Sequence, residues 1–265
     1  MKKIKPQSNE IVLPAIHPNE GIRMAFQRKL VTLVSMMHTD VVKRITEAYV
    51  PPKIAQDSLV SALLEAVIVK IFKDWLKKFN TLAPVIAEHF TKSIVERSDS
   101  AFDAALRKAG FAIDFKMTPA MKEAIDATIA EQVSLIRSIP QQYLTQVEGM
   151  VMRSIIAGHD IGTLTNELTK QFLITRKRAA FIAMDQNNKA SATFTRVRQL
   201  GMGITEGEWL HSGGGKHPRP EHVKWTGKRY DIKQGMWSEV DQMFVWPRTR
   251  PNCRCVSKSV IRGHV

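Results

Sequence analysis

The sequence predicts an α+β protein, with a mainly helical N-terminal part followed by a small α+β C-terminal module. Apolar residues recur at helical spacing from Asn19 to about Leu200. Beyond Gly201 the chain turns to Gly, Pro, Trp and His with only short apolar runs. Four of the five tryptophans, Trp209, Trp225, Trp237 and Trp246, fall in that last stretch. Short strands there need a second layer to bury one face, and the helix expected over 175–200 supplies it. A chain of 265 residues, 44% of them apolar, buries a sizeable core and accommodates two domains. The expected division is an extended arm over 1–18, a helical domain over 19–139 and the α+β module over 140–265.

Each element has a local reason. Pro6, Pro14 and Pro18 keep the start extended. Ile22, Phe26, Leu30, Leu33, Val34 and Met37 then mark a helix capped by Asn19, with Glu20 in its first turn, running to about Tyr49 before Pro51 and Pro52. A second helix after Asp57 carries Leu59, Leu63, Val67, Ile71 and Trp75. Pro84 suits the first turn of a third, which carries Phe90, Ile94, Phe102 and Leu106 as far as Gly110. Thr118-Pro119 opens a fourth helix, and Ser138 with Pro140 marks a fifth that ends at Gly158. A short amphipathic helix over 161–172 and a longer one over 175–200, closing at Gly201, complete the helical part. The runs 204–210, 229–232, 243–246 and 255–261 read as strands or irregular segments.

Charge narrows the function classes. The net charge is +14, and from Gln171 onward seventeen Lys and Arg face seven Asp and Glu. The positive field is therefore concentrated in the last third, where it attracts phosphate backbones or an acidic protein without conferring sequence preference. A merely soluble basic surface is the bland alternative. Cys253 and Cys255 are too few and too close for a secreted disulfide framework, which points to synthesis in a reducing cytosol. The first residues lack the apolar run of a signal peptide. The apolar stretch 59–76 is interrupted by Glu65, Lys70, Lys73 and Asp74, so no membrane span is expected.

The densest chemistry lies in His211-Ser-Gly-Gly-Gly-Lys216-His217-Pro-Arg219-Pro-Glu221-His222, with Asn252-Cys253-Arg254-Cys255 some thirty residues later. Three readings compete. His217, His222, Cys253 and Cys255 are a zinc-type donor set, although Cys-x-Cys is not the usual zinc spacing and Pro218 and Pro220 stiffen the histidine segment. Glu221 and His222, with His217, offer a metal-dependent nuclease or a nucleotide transferase. No phosphate loop, nucleophile elbow or carboxylate cluster for Mg²⁺ accompanies them. In the third and favoured reading no metal or cofactor is bound. Arg219, His222 and Arg254 tie loops together by hydrogen bonds, Trp209 and Trp225 fill the core, and the thiols are small buried hydrophobes.

The stretch Arg178-Ala-Ala-Phe-Ile-Ala-Met-Asp185-Gln186-Asn-Asn188 is followed by Gly203-Ile204, Glu208-Trp209, Arg219-Pro-Glu-His222 with Gly227, and Pro251-Asn252-Cys253-Arg254-Cys255. In order and spacing this combination resembles the Mu F-like family of phage minor head, or head morphogenesis, proteins over about residues 145–258. The resemblance implies a non-enzymatic virion-head component, assembled in the host cytoplasm in few copies, associated with the portal or major capsid protein and in some relatives binding DNA. The Gly-rich segment before Lys216 and the Trp246-Pro-Arg-Thr-Arg-Pro251 run depart from the family pattern, which touches loop contacts more than the module itself. Similar modules also precede toxin domains, and with ten residues after Cys255 no such effector is expected here. Packaged double-stranded DNA would meet Arg176, Lys177, Arg178, Lys216, Lys224, Lys228, Arg229, Arg248 and Arg250, which cluster near loops and tryptophans.

Overall fold

A computed structural model describes residues 10–49, 57–157, 160–214 and 217–262. Among the described residues, four long helices, one short helix and six short strands follow in the order β1 (Glu10–Val12), α1 (Glu20–Tyr49), α2 (Asp57–Lys108), α3 (Pro119–Ile156), α4 (Ile161–Gly201), β2 (Glu206–Leu210), α5 (Pro220–Lys224), β3 (Arg229–Asp231), β4 (Met236–Ser238), β5 (Met243–Val245) and β6 (Val256–Arg262). The α+β class is as expected.

The helices are fewer and longer than the prolines suggest. Both α2 and α3 run unbroken through Pro84 and Pro140. An interior proline deletes one backbone donor and costs about 3 kcal/mol. Phe79, Ala83, Ala87 and Phe90 keep one buried stripe across Pro84, and Ile136, Ile139, Tyr143 and Leu144 do so across Pro140. Burying one such large side chain returns roughly 1.5–3 kcal/mol, so packing outweighs the break. Likewise α4 spans the segment read as two helices, because Thr175 Oγ1 bonds back to the Gln171 carbonyl (2.9 Å) within the helix and does not cap a new one.

Helix ends follow local chemistry. Thr118 Oγ1 accepts the Met121 N–H at the start of α3 (3.2 Å), with Pro119 in the first helical position. Gly110, at φ +91°, ends α2: the Phe111 N–H returns to the Leu106 carbonyl and the Gly110 N–H to that of Arg107. The same double bond recurs after α4 at Gly203, at φ +75°, with Ile204 to Gln199 and Gly203 to Leu200. Gly201 itself remains helical.

The chain forms two compact units, one made of residues 1–20, 91–128 and 185–265, the other of 21–90 and 129–184. A boundary near residue 140 divides the sequence differently, because α2, α3 and α4 each contribute one portion to each unit. The unit of 21–90 and 129–184 is helical, with Phe26 stacked on Phe90 (centroids 4.0 Å apart) and Leu30, Val34, Met37, Val41 and Ile45 buried along α1.

The other unit holds both sheets. An antiparallel sheet in the order β1-β6-β2-β3 pairs Glu10 with Arg262 and Glu206 with Val260, and β4 and β5 form a separate hairpin. β1 and β4 fall where no strand was expected, β1 within the segment read as an arm. Trp209, fully buried on β2, packs with Leu13, Phe102, Leu106, Trp225, Tyr230, Ile232 and Val245 in the core. On β2, Gly207 and Trp209 are buried while Glu206 and Glu208 are half-buried. Those carboxylates meet Arg262 (2.6 Å) and Lys258 (2.9 Å) in ion pairs, and Arg229 bridges Glu10 (2.6 Å) and Glu208 (3.3 Å).

Candidate functional site

Beside Trp209, His222 meets Cys253 and Cys255. α5 opens with Pro220 in its first turn and turns His222 into the core. After it, Gly227 at φ +78° lets the chain double back, so that its N–H donates to the Trp209 carbonyl (2.8 Å) and the Trp209 N–H to that of Lys228 (2.9 Å). His222 stacks on Trp225 (centroids 5.1 Å apart) and meets Trp209 edge-on (5.0 Å). Opposite, the segment leading into β6 alternates as an extended chain does: Cys253 and Cys255 are buried while Arg254 between them is exposed.

Both thiols address one nitrogen. Nδ1 of His222 lies 3.5 Å from Cys253 Sγ and 3.6 Å from Cys255 Sγ. Both cysteines are free thiols. The contact between the sulfurs holds the Cys253 thiol well below the usual thiol range and pushes Cys255 up, because one can ionise readily only while the other keeps its proton. A pocket beside them is lined by His211, Ser212, Gly214, His217, Arg219 and Asn252. His217 is therefore a neighbour of the cluster, and it is exposed.

Arginines brace the loops. The Arg219 Nη2 donates to the Pro251 carbonyl (3.1 Å). Arg254 contributes its carbonyl, which accepts from Arg248 Nη2 at 3.3 Å. Arg248 carries most of the bracing: Nε donates to the Cys255 carbonyl (2.9 Å), Nη1 to Asn188 Oδ1 (3.2 Å), and its backbone N–H to Cys253 Sγ (3.4 Å). Burial lowers its pKa to about 10, opposed by the two thiols, so it stays charged at neutral pH. Arg248 and Asn252 both adopt positive φ, +68° and +59°, in this loop.

Glu221 faces away from this cluster. Its Oε1 accepts from Ser238 Oγ (2.7 Å) and its Oε2 from the Glu239 N–H (3.1 Å), which anchors the β4 end of the hairpin. Glu221, His217 and His222 thus do not share one reacting position. Asp185 and Gln186 are buried on α4, Asp185 paired with Lys189 at 2.9 Å. Also on α4, Arg198 grips Asp99 through Nε and Nη2 (2.8 and 2.6 Å), a pairing the sequence reading did not find.

The expected DNA contacts separate by environment. Lys224 and Lys228 are exposed on the sheet-bearing unit and make no ion pair among the described residues. Arg176 and Lys177 are exposed on the helical unit, Arg176 lying over the Phe172 ring, and Arg178 there donates to Ser138 Oγ (2.9 Å). Arg229 is held by Glu10 and Glu208, Arg250 by Asp241 (2.6 Å), and Arg248 is buried as described. Lys216 lies outside the described residues. No described helix is long and apolar enough to cross a membrane.

Comparison with known proteins places this geometry. The chain is 26% identical over 243 residues to an uncharacterized protein of Haemophilus influenzae, a match covering 89% of this chain and 52% of the relative. The chain thus spans about half the length of that relative. No solved structure matches the chain. The family described as Phage Mu protein F like protein matches residues 145–258, which hold α4, α5, β2 to β5, the thiol–imidazole cluster and its arginine braces. Residues 145–258 of this chain are therefore similar to the family of Phage Mu protein F like proteins.

Proposed function

We propose that the protein is a minor head, or head morphogenesis, protein of a tailed bacteriophage, acting at the portal or shell and touching packaged DNA without sequence preference. The observation that carries the reading is the family match over 145–258. The braced loops within that region suit a scaffold: Arg219, Arg248 and Glu221 spend their hydrogen bonds on other loops. DNA contact draws on Lys224 and Lys228, which remain exposed in a segment of strong positive charge, with Arg176 and Lys177 as further contacts.

Co-expression with the portal and major capsid proteins of the same phage tests the assembly role. The expected result is co-sedimentation with portal oligomers or shell subunits, and migration apart from both would overturn it. In a companion assay, duplex DNA incubated with the protein and Mg²⁺, Mn²⁺ or Zn²⁺ stays intact. Cleavage that His222→Ala abolishes would replace the scaffold reading with a nuclease.

A further inference from the structure

The cluster of His222, Cys253 and Cys255 is more ordered than a packing role requires. The three donor atoms lie within 4.8 Å of one another, and all three residues are buried. One hydrogen on Nδ1 cannot serve two sulfurs at 3.5 and 3.6 Å equally. A cation at the centre can serve all three. With Zn–S of about 2.3 Å and Zn–N of about 2.0 Å, the S···N edge of a tetrahedron is roughly 3.5 Å. Both S···N distances in the cluster match that edge.

The surroundings also favour a thiolate at Cys253. The Arg248 N–H donates to Cys253 Sγ, and its buried guanidinium adds positive charge beside both sulfurs. Backbone donors of this kind orient metal-binding sulfurs and stabilise their charge. The short Cys-x-Cys spacing is no obstacle, because alternation along the chain brings positions 253 and 255 to the same side.

We propose that Cys253 Sγ, Cys255 Sγ and His222 Nδ1 bind a thiophilic divalent cation, zinc above all, with its fourth coordination position facing the pocket that carries His211 and His217. Binding releases the thiol protons to solvent and involves no oxidation or reduction. The ion clamps α5 to the segment entering β6, in a unit whose strands are mostly three residues long. The proposal stands whether or not the chain assembles into phage heads.

The full chain, purified without chelator and dialysed against zinc, is expected to hold stoichiometric zinc. A mercurial reagent should release that zinc in step with thiol modification. Exchange for Co²⁺ should give thiolate-to-metal charge-transfer absorption together with intense tetrahedral ligand-field bands. Cys253→Ser and Cys255→Ser should each lose the metal. The Co²⁺ spectrum of the unaltered chain decides the matter if those variants fail to fold. Folded protein that takes up no zinc, or a Co²⁺ form without sulfur charge transfer, would overturn the proposal. So would a Cys253–Cys255 disulfide, or metal retained by a folded double Cys→Ser variant.

Discussion

At Gly207 a missing side chain makes room for a ring. A Cβ there would lie 2.8 Å from Ser257 Oγ and 2.9 Å from the Tyr230 ring, whose hydroxyl bonds Ser257 Oγ at 2.7 Å. Gly207→Ala should therefore destabilise the protein by about 1–3 kcal/mol in chemical unfolding, as overpacking does. Arg248→Lys keeps the charge but loses the forked bonds to Cys255 and Asn188, and should cost roughly 1–3 kcal/mol in the same assay. Its effect on DNA affinity should be small, because the side chain is buried. His38 makes a third case: its Nδ1 lies 2.8 Å from the Tyr143 hydroxyl, its ring stacks on Phe172 at 4.3 Å, and burial lowers its pKa. A histidine whose folded pKa is depressed binds fewer protons than the unfolded chain just below about pH 6.5. That stability is complete above the unfolded value and is lost as pH falls through the folded one. Unfolding curves for His38→Gln should lack this increment of acid sensitivity relative to the unaltered protein. Trp209, Trp225, His222 and the two cysteines were legible in the sequence as a dense cluster because their residue types are scarce elsewhere. Arg248 was legible only as charge: nothing in its neighbourhood announces a buried residue at positive φ, since that conformation is imposed by the carbonyls it holds.

Among elements, starts and stops were easier to read than continuity. Thr118-Pro119 and Gly110 announce themselves because caps act through one or two residues. Thr118→Ala should accordingly cost about 1 kcal/mol, measured as a lowered denaturant midpoint with unchanged slope. Pro84 and Pro140 misled because a proline's penalty is local, whereas the burial that overrides it comes from side chains on both flanks packed against other helices. β1 and β4 were illegible for a related reason. Each has three residues, too few to show alternation, and each owes its strand form to a partner, β6 or β5. The anchoring role of Glu221 was not legible because its partners, Ser238 and Glu239, lie beyond two turns whose path the sequence leaves open.

For the whole molecule, the change of composition near Gly201 marks where helix gives way to sheet, but not where one unit gives way to the other. The units interleave because three helices each serve both, and periodicity along one helix carries no record of which neighbour its face meets. The charge asymmetry was legible from counting alone, yet the fold withdraws part of it: Arg229, Lys258 and Arg262 face Glu10, Glu206 and Glu208 across the sheet. If DNA binding follows the remaining exposed lysines, Lys224→Ala with Lys228→Ala should lower the slope of log affinity against log salt by about 2, whereas Arg229→Ala should leave that slope nearly unchanged. Fluorescence anisotropy with mixed-sequence duplex across a salt series measures both. The pairing of β1 with β6 carries a last consequence. Arg262, the register partner of Glu10, is translated long after it. The sheet can close only after the residues of β6 have left the ribosome, so nascent chains stalled before residue 256 should expose the Glu10–Val12 segment to proteases that spare it in the released protein.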